Sequence, residues 1–139
     1  MSYLLDTCVL SEFTRRKPEE KVIRWLDQIP EENLFLSAIT IGEIQHGVQR
    51  LPNSPRKSDL QVWMRNGLIE RFDKRILSLD TATMLLWGSL IARMEKSGHP
   101  MPAMDSLIAA TALQNHLTIV TRNAADFQHC GVQVINPWN

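Results

Sequence analysis

Four acidic side chains, Asp6, Glu43, Asp105 and Asp126, stand where carboxylates do chemistry in an α/β chain: just beyond strand-like runs, or in the first turn of a helix that follows. Carboxylates gathered at one point repel one another and raise their own pKa values unless a cation neutralises them. Hard oxygen donors of this kind suit Mg²⁺ or Mn²⁺, which bind through a few carboxylates and keep water positions open for a substrate phosphate. An ion so held turns water into a nucleophile and stabilises the charge of an in-line displacement, which is phosphodiester hydrolysis.

Each of these positions also has a local explanation. Asp6 ends the run YLLD and reads as a helix cap or turn residue as well as a site residue. Glu43 lies three residues after Thr40, the spacing of a capping box, and taken alone capping accounts for it better. Asp105 falls in the first turn of its helix, where the macrodipole favours a carboxylate. Asn123 and Asp126, in TRNAADF, suit local turn bonding as well as they suit a site. What no local reading explains is why Asp6, Glu43 and Asp105 all fall near one edge of the same predicted sheet.

Other chemistries fit less well. His46, His99, His116 and His129 show no HxxxH and no Cys–His spacing, so zinc has little support and the histidines are expected at the surface. The chain has no P-loop and no GxGxxG. LLDTCVL is superficially similar to the opening of a haloacid-dehalogenase-type phosphatase, but Cys8 stands where the second Asp of that motif belongs.

The elements that must position the acids follow from patterning. YLLD reads as a short buried strand. Pro18, Glu19 and Glu20 open a helix whose apolar face is Val22, Leu26 and Ile29. NLFLSAIT predicts a second strand, followed by a helix through about Leu51. PNSPRKSD is the clearest loop, with a cap expected at Ser58 or Asp59 and a helix over Leu60 to Phe72. A brief strand at RILSL, a helix capped by Asp80 and stopped by Gly98, and a long helix MPAMDSLIAATALQNH come next. LTIVT and VQVI close the chain as strands. Strands alternating with helices predict a mainly parallel sheet of about four or five strands covered on both faces, with ligands outside its carboxyl edge.

At 139 residues the chain suits one domain spanning 1–139. Hydrophobic residues make up 44% and charged residues 22%, far from a disordered composition. Fifteen basic residues balance fifteen acidic ones, so no whole-molecule field draws in nucleic acid or an anionic membrane, and self-association is not opposed by net charge. Cys8 and Cys130 form no framework, MSYLLDTCVLSEF lacks the basic region and cleavage site of a signal peptide, and MLLWGSLIA is too short for a bilayer span. A cytoplasmic, membrane-free protein is the expectation.

In order and spacing, LLDTCVLSE, SAITIGEIQHG, MPAMDSLIAATA and TIVTRNAADF resemble the PIN domains of VapC-like and FitB-like toxins, over nearly the whole chain. The resemblance implies a PIN-like three-layer α/β/α fold and a toxin endoribonuclease of a toxin–antitoxin module, with Mg²⁺ or Mn²⁺ in an acidic pocket and RNA as substrate. By the same resemblance Asp6, Glu43 and Asp105 match the core acids, with Asp6 and Asp105 touching the metal. The fourth acidic place departs from the pattern: many relatives carry Asp directly after the T-R pair, where this chain has Asn123, with Asp126 three residues on, so either Asn123 supplies a neutral oxygen, or Asp126 reaches in through the loop, or one metal position is weak. Thr7 and Thr121 are candidate donors to carboxylates, although a plain turn or strand threonine accounts for each of them better. A homodimer is implied, together with a small DNA-binding antitoxin whose tail covers the acidic pocket. A metal-binding protein that holds nucleic acid without cutting it is the second reading.

Overall fold

The computed structural model describes residues 1–139. Its centre is a five-stranded sheet in which every neighbouring pair is parallel, ordered β3-β2-β1-β4-β5. The strands are β1 (Tyr3–Leu5), β2 (Leu34–Ser37), β3 (Ile76–Leu77), β4 (Thr118–Val120) and β5 (Val134–Ile135). Registers Tyr3↔Leu34 on one side and Leu5↔Val120 on the other hold β1 at the middle. Strands covered on both faces are buried along their whole length, which is why YLL and TIV are continuous buried runs and not alternating ones, with the Thr118 hydroxyl paired to the Gln133 side chain.

Successive strand residues face opposite sides, so the adjacent Leu4 and Leu5 enter separate cores. Leu5 joins Val9 and Leu10 of α1 (Thr7–Glu12), Val22 and Leu26 of α2 (Glu20–Asp27), Ile44 and Val48 of α3 (Ala38–Gln49), and Phe72. Leu4 joins Leu90 and Met94 of α5 (Thr81–Lys96) with Ile108, Ala109 and Ala112 of α6 (Ala103–Gln114). The result is three layers, helices on both faces of the sheet, as the patterning predicts. Gly98, at φ +80, ends α5 in the left-handed conformation that glycine adopts without a Cβ penalty.

Three local expectations are corrected. The fourth helix, α4 (Pro55–Val62), starts well before Ser58: Ser54 is its cap, accepting from the Lys57 amide at 3.2 Å, and Pro55 takes the first helical position where its missing N–H costs nothing. Beyond it, Trp63–Ile69 winds as a π-helical stretch, marked by the Glu70 amide bonding back five residues to the Arg65 carbonyl. Gly67 is needed there, because a Cβ would stand 2.8 Å from Cδ1 of Trp63. Third, Pro18 lies outside α2, whose cap is Glu19. No helix is long and apolar enough to cross a membrane. The four histidines are exposed and the four tryptophans are partly buried.

Candidate active site

The chain leaves β1 for β2 and β3 on one side, then crosses to β4 and β5 on the other, so the strand order reverses between β1 and β4. A crevice outside the carboxyl ends opens at such a point. Asp6 follows β1 directly and Thr121 follows β4 directly, and the two meet: the Thr121 hydroxyl donates to Oδ2 of Asp6 at 2.8 Å. The Asp6 amide donates to the Val120 carbonyl at 3.0 Å, which continues the ladder one residue past the strands.

Asp6 takes the helix-cap role the sequence offered, and its second oxygen is held at the carboxyl edge of the sheet. It is the residue before α1, its Oδ1 accepting from the Thr7 amide at 2.8 Å, while Oδ2 is held by Thr121. Thr121 is in turn fixed by the Asn123 amide, which donates to its hydroxyl oxygen at 3.1 Å. Because the single Thr121 proton is engaged with Asp6, the Cys8 thiol 3.4 Å away is the donor to Thr121, and the Arg122 amide donates to the Cys8 sulfur at 3.4 Å. Cys8 and Arg122 thus brace Asp6 from behind. Both lie inside the quoted motifs, but nothing in their spacing reveals a contact across more than a hundred residues.

Glu43 is not a capping residue. Ser37 caps α3, accepting from the Ile39 amide at 3.1 Å, and Thr40 lies buried inside the helix with its hydroxyl oxygen unpartnered. Freed from the backbone, Glu43 accepts instead from the Thr7 hydroxyl at 3.0 Å, thirty-six residues away in the chain. Thr7 therefore reaches two acids, Asp6 through its amide and Glu43 through its hydroxyl.

Asp105, half-buried in the first turn of α6, reports on the whole cluster. Burial pushes its pKa above the ordinary carboxylate range, and the charges of Asp126, Asp6 and Glu43 push it further the same way. The four acids therefore share one field, and none of the chain's ion pairs supplies any of them with a cation. Asp126 is exposed in the short 3₁₀ turn Ala124–Phe127, while Asn123, at the start of that turn, makes no side-chain cap bond. No three His, Cys, Asp or Glu side chains stand close enough as they lie to ligate one ion.

A raised folded-state pKa means that the stability this carboxyl contributes is complete below the ordinary Asp value near 3.9 and is lost as pH rises through the raised one. In divalent-free buffer at about pH 7, Asp105→Asn is accordingly expected to melt above wild type, with the difference closing toward about pH 4. Thermal scans at both pH values check this, and equal melting at neutral pH would remove the repulsion from the account.

An open cleft of about 820 Å³ between α3 and α6 begins at Thr7 and Glu43 and is lined further by His46, Arg50, Met104 and Leu107. A narrower groove leaves the same pair along Ser11, Thr14, Leu60 and Trp63. A PIN domain family model matches residues 3–131. This chain belongs to the PIN domain family. Among curated PIN-type relatives it is similar to the toxin FitB of Neisseria gonorrhoeae, 38% identical with 98% of each chain covered. It is also similar to the plasmid stability protein StbB of Pseudomonas syringae pv. tomato, 37% identical over 97% of each chain. A third relative is the VapC ribonuclease Y4jK of Sinorhizobium fredii, 32% identical over 97% of this chain and 96% of that one. Two solved structures share the PIN fold at a TM-score of 0.93 and 37% identity: FitAB bound to a DNA fragment, and FitAcB from Neisseria gonorrhoeae, covering 99% of this chain and 96% and 99% of theirs.

Proposed function

We propose that this PIN domain, acting as one unit over residues 1–139, is the toxin endoribonuclease of a toxin–antitoxin module and hydrolyses RNA phosphodiester bonds in the cytoplasm. The observation that carries the reading is the shared, unneutralised field of Asp6, Glu43, Asp105 and Asp126 at the carboxyl edge of a parallel sheet. The relative named a VapC ribonuclease supports the activity, and the relative named a toxin supports the biological role.

An all-carboxylate donor set that lacks a counter-cation fits Mg²⁺ or Mn²⁺, and its openness suits an ion that takes only one or two protein ligands and keeps its waters. Asp6 and Asp105 would hold it. When bound, such an ion supplies Lewis-acid polarisation of the scissile phosphate and an acidified water. The chain's own groups do the positioning. Thr121 and the Thr7 amide fix both oxygens of Asp6, so the carboxylate does not rotate away, and Thr7 aims Glu43, which can then accept a proton from the attacking water. Asp126 takes the fourth acidic place, with Asn123 behind it holding Thr121 through its amide.

The partners follow from the same relatives. The FitAB structure on DNA supports an antitoxin partner and a DNA-bound complex; the reading adds that this partner is small and that its tail covers the acidic pocket, and zero formal net charge leaves a homodimer unopposed. One observation favours the second reading, a nucleic-acid binder that does not cut: the acids do not close on a single point. Incubating the purified chain with mixed single-stranded and structured RNAs separates the two. Cleavage with Mg²⁺ or Mn²⁺, lost in chelator and restored by adding the ion back, is expected; intact RNA in every condition would leave the binding reading.

A further inference from the structure

A second cleft, of about 530 Å³, is lined only by Thr14, Arg15, Arg16, Lys17 and Arg56, with no apolar side chain among them. In a chain of zero formal net charge, four cations around one opening are a local imbalance that the composition hides. Arg16, Lys17 and Arg56 take part in none of the chain's ion pairs or side-chain hydrogen bonds with carboxylates. Lys57, their neighbour in sequence, is otherwise engaged: its ammonium caps the end of α3 at the Gln49 and Leu51 carbonyls, 3.3 and 3.1 Å away.

One of these cations stands against its local preference, and a second feature fastens the segment that carries the other three. Arg56 sits in the first turn of α4, the positive end of that helix, where the macrodipole disfavours a cation. Glu12 is a buried carboxylate, 3% exposed, that accepts from the Arg15 guanidinium at 3.0 Å and from the Glu19 amide at 2.9 Å. It ties both ends of the 15–19 loop to α1. A buried charge is costly to maintain, and here it fastens the segment that carries three of the four cations. Local rules are broken in this way where a site needs them broken.

The cleft also shares a wall with the groove that leaves the acids. Thr14 lines both this cleft and the groove that starts at Thr7 and Glu43. At 1.5 Å of rise per residue, α1 and the turn after it separate Thr7 from Thr14 by roughly 10 Å. A strand cut at the acidic cluster experiences repulsion there and must continue somewhere. Protein–protein interfaces have apolar cores depleted of charge, whereas this cleft has no apolar lining, so its chemistry matches phosphates and not a peptide.

Building on the nuclease reading above, we propose that the cleft walled by Arg15, Arg16, Lys17 and Arg56 seats the phosphates of the RNA strand a few nucleotides beyond the cut. The cations there offset the repulsion at the acids, and they set how much of a long substrate is held. They take no part in the chemical step.

The test uses a fluorescein-labelled single-stranded RNA of mixed sequence, titrated with the full chain in chelator across a salt series, for wild type and for Arg16→Ala/Lys17→Ala/Arg56→Ala. All three side chains are exposed, and matching thermal melts confirm that the variant folds. The variant is expected to bind at least ten-fold more weakly, with the slope of log affinity against log salt reduced by about 2, from ~0.7 per lost phosphate contact on a single strand. With the metal ion present, KM for a long RNA rises while kcat holds, and cutting of an oligonucleotide too short to span the groove is unchanged. Wild-type affinity and salt slope in the variant would overturn the proposal. So would intact RNA binding alongside lost binding of a poly-glutamate probe, which would mark the cleft as a protein contact. If the wild-type chain itself neither binds nor cuts RNA, the nuclease reading falls first.

Discussion

Asp6→Asn is expected to lose RNA cleavage by on the order of 10²–10³-fold or more while the chain stays folded, and Asp105→Asn to do the same. The reason is charge at constant shape. Asn keeps an oxygen for one of the donors now on Asp6, so the Thr7 amide or the Thr121 hydroxyl retains a partner and the other is left without one. The fold loses about one hydrogen bond, worth ~1 kcal/mol, whereas the site loses a full negative charge that a divalent ion requires. For Asp105 the separation is cleaner, because its carboxylate is destabilised by its neighbours and its loss should cost the fold nothing. Expressing each variant and the wild type from a tight promoter, and extracting total RNA, reads the outcome. Growth arrest with discrete fragments belongs to the wild type alone, and a folded variant with wild-type cleavage would sink the site assignment.

The second large effect concerns the scaffold. Phe72 is 1% exposed in the core on the α1–α4 side, its ring under the guanidinium groups of Arg71 and Arg75 at 5.2 and 4.6 Å from its centroid. Phe72→Ala removes a buried ring, leaves a cavity that neighbours fill only partly, and takes the aromatic face away from two cations. The expected loss is ~3–5 kcal/mol, a large share of the 5–15 kcal/mol that holds a domain together. Melting should fall by roughly 10 °C or more. Circular dichroism during heating checks this, and a loss below ~1 kcal/mol would show that this core is not carried by Phe72. Together the two substitutions separate the roles: one silences an intact fold, the other loosens the fold and carries the site away with it.

Capping was where sequence grammar misled. Thr40 and Glu43 have capping-box spacing, but Ser37, which ends β2, has its hydroxyl two residues from an open amide and takes the cap first. In PNSPRKSD both Ser54 and Ser58 are competent caps, and the choice fell to Ser54 because Pro55 then occupies the first helical position, where an N–H would have no intrahelical partner. The π-helical stretch from Trp63 to Ile69 left no trace in periodicity, since it depends on how Trp63 packs over Gly67.

Apolar runs, proline and glycine positions and the placing of acids after strands were enough to determine an α/β sheet covered on both faces, with Asp6 and Asp105 at its carboxyl edge. These are properties of single segments, and burial period and backbone geometry act segment by segment. Which acids share a field, which threonine holds which carboxylate, and that four cations in a neutral chain face one cleft were decided only by the tertiary structure. The Thr121 bond to Asp6 spans 115 residues and the Thr7 bond to Glu43 spans 36. Electrostatic and hydrogen-bond energies depend on separation in space over a few ångströms, and only the strand order β3-β2-β1-β4-β5 converts distance along the chain into that separation.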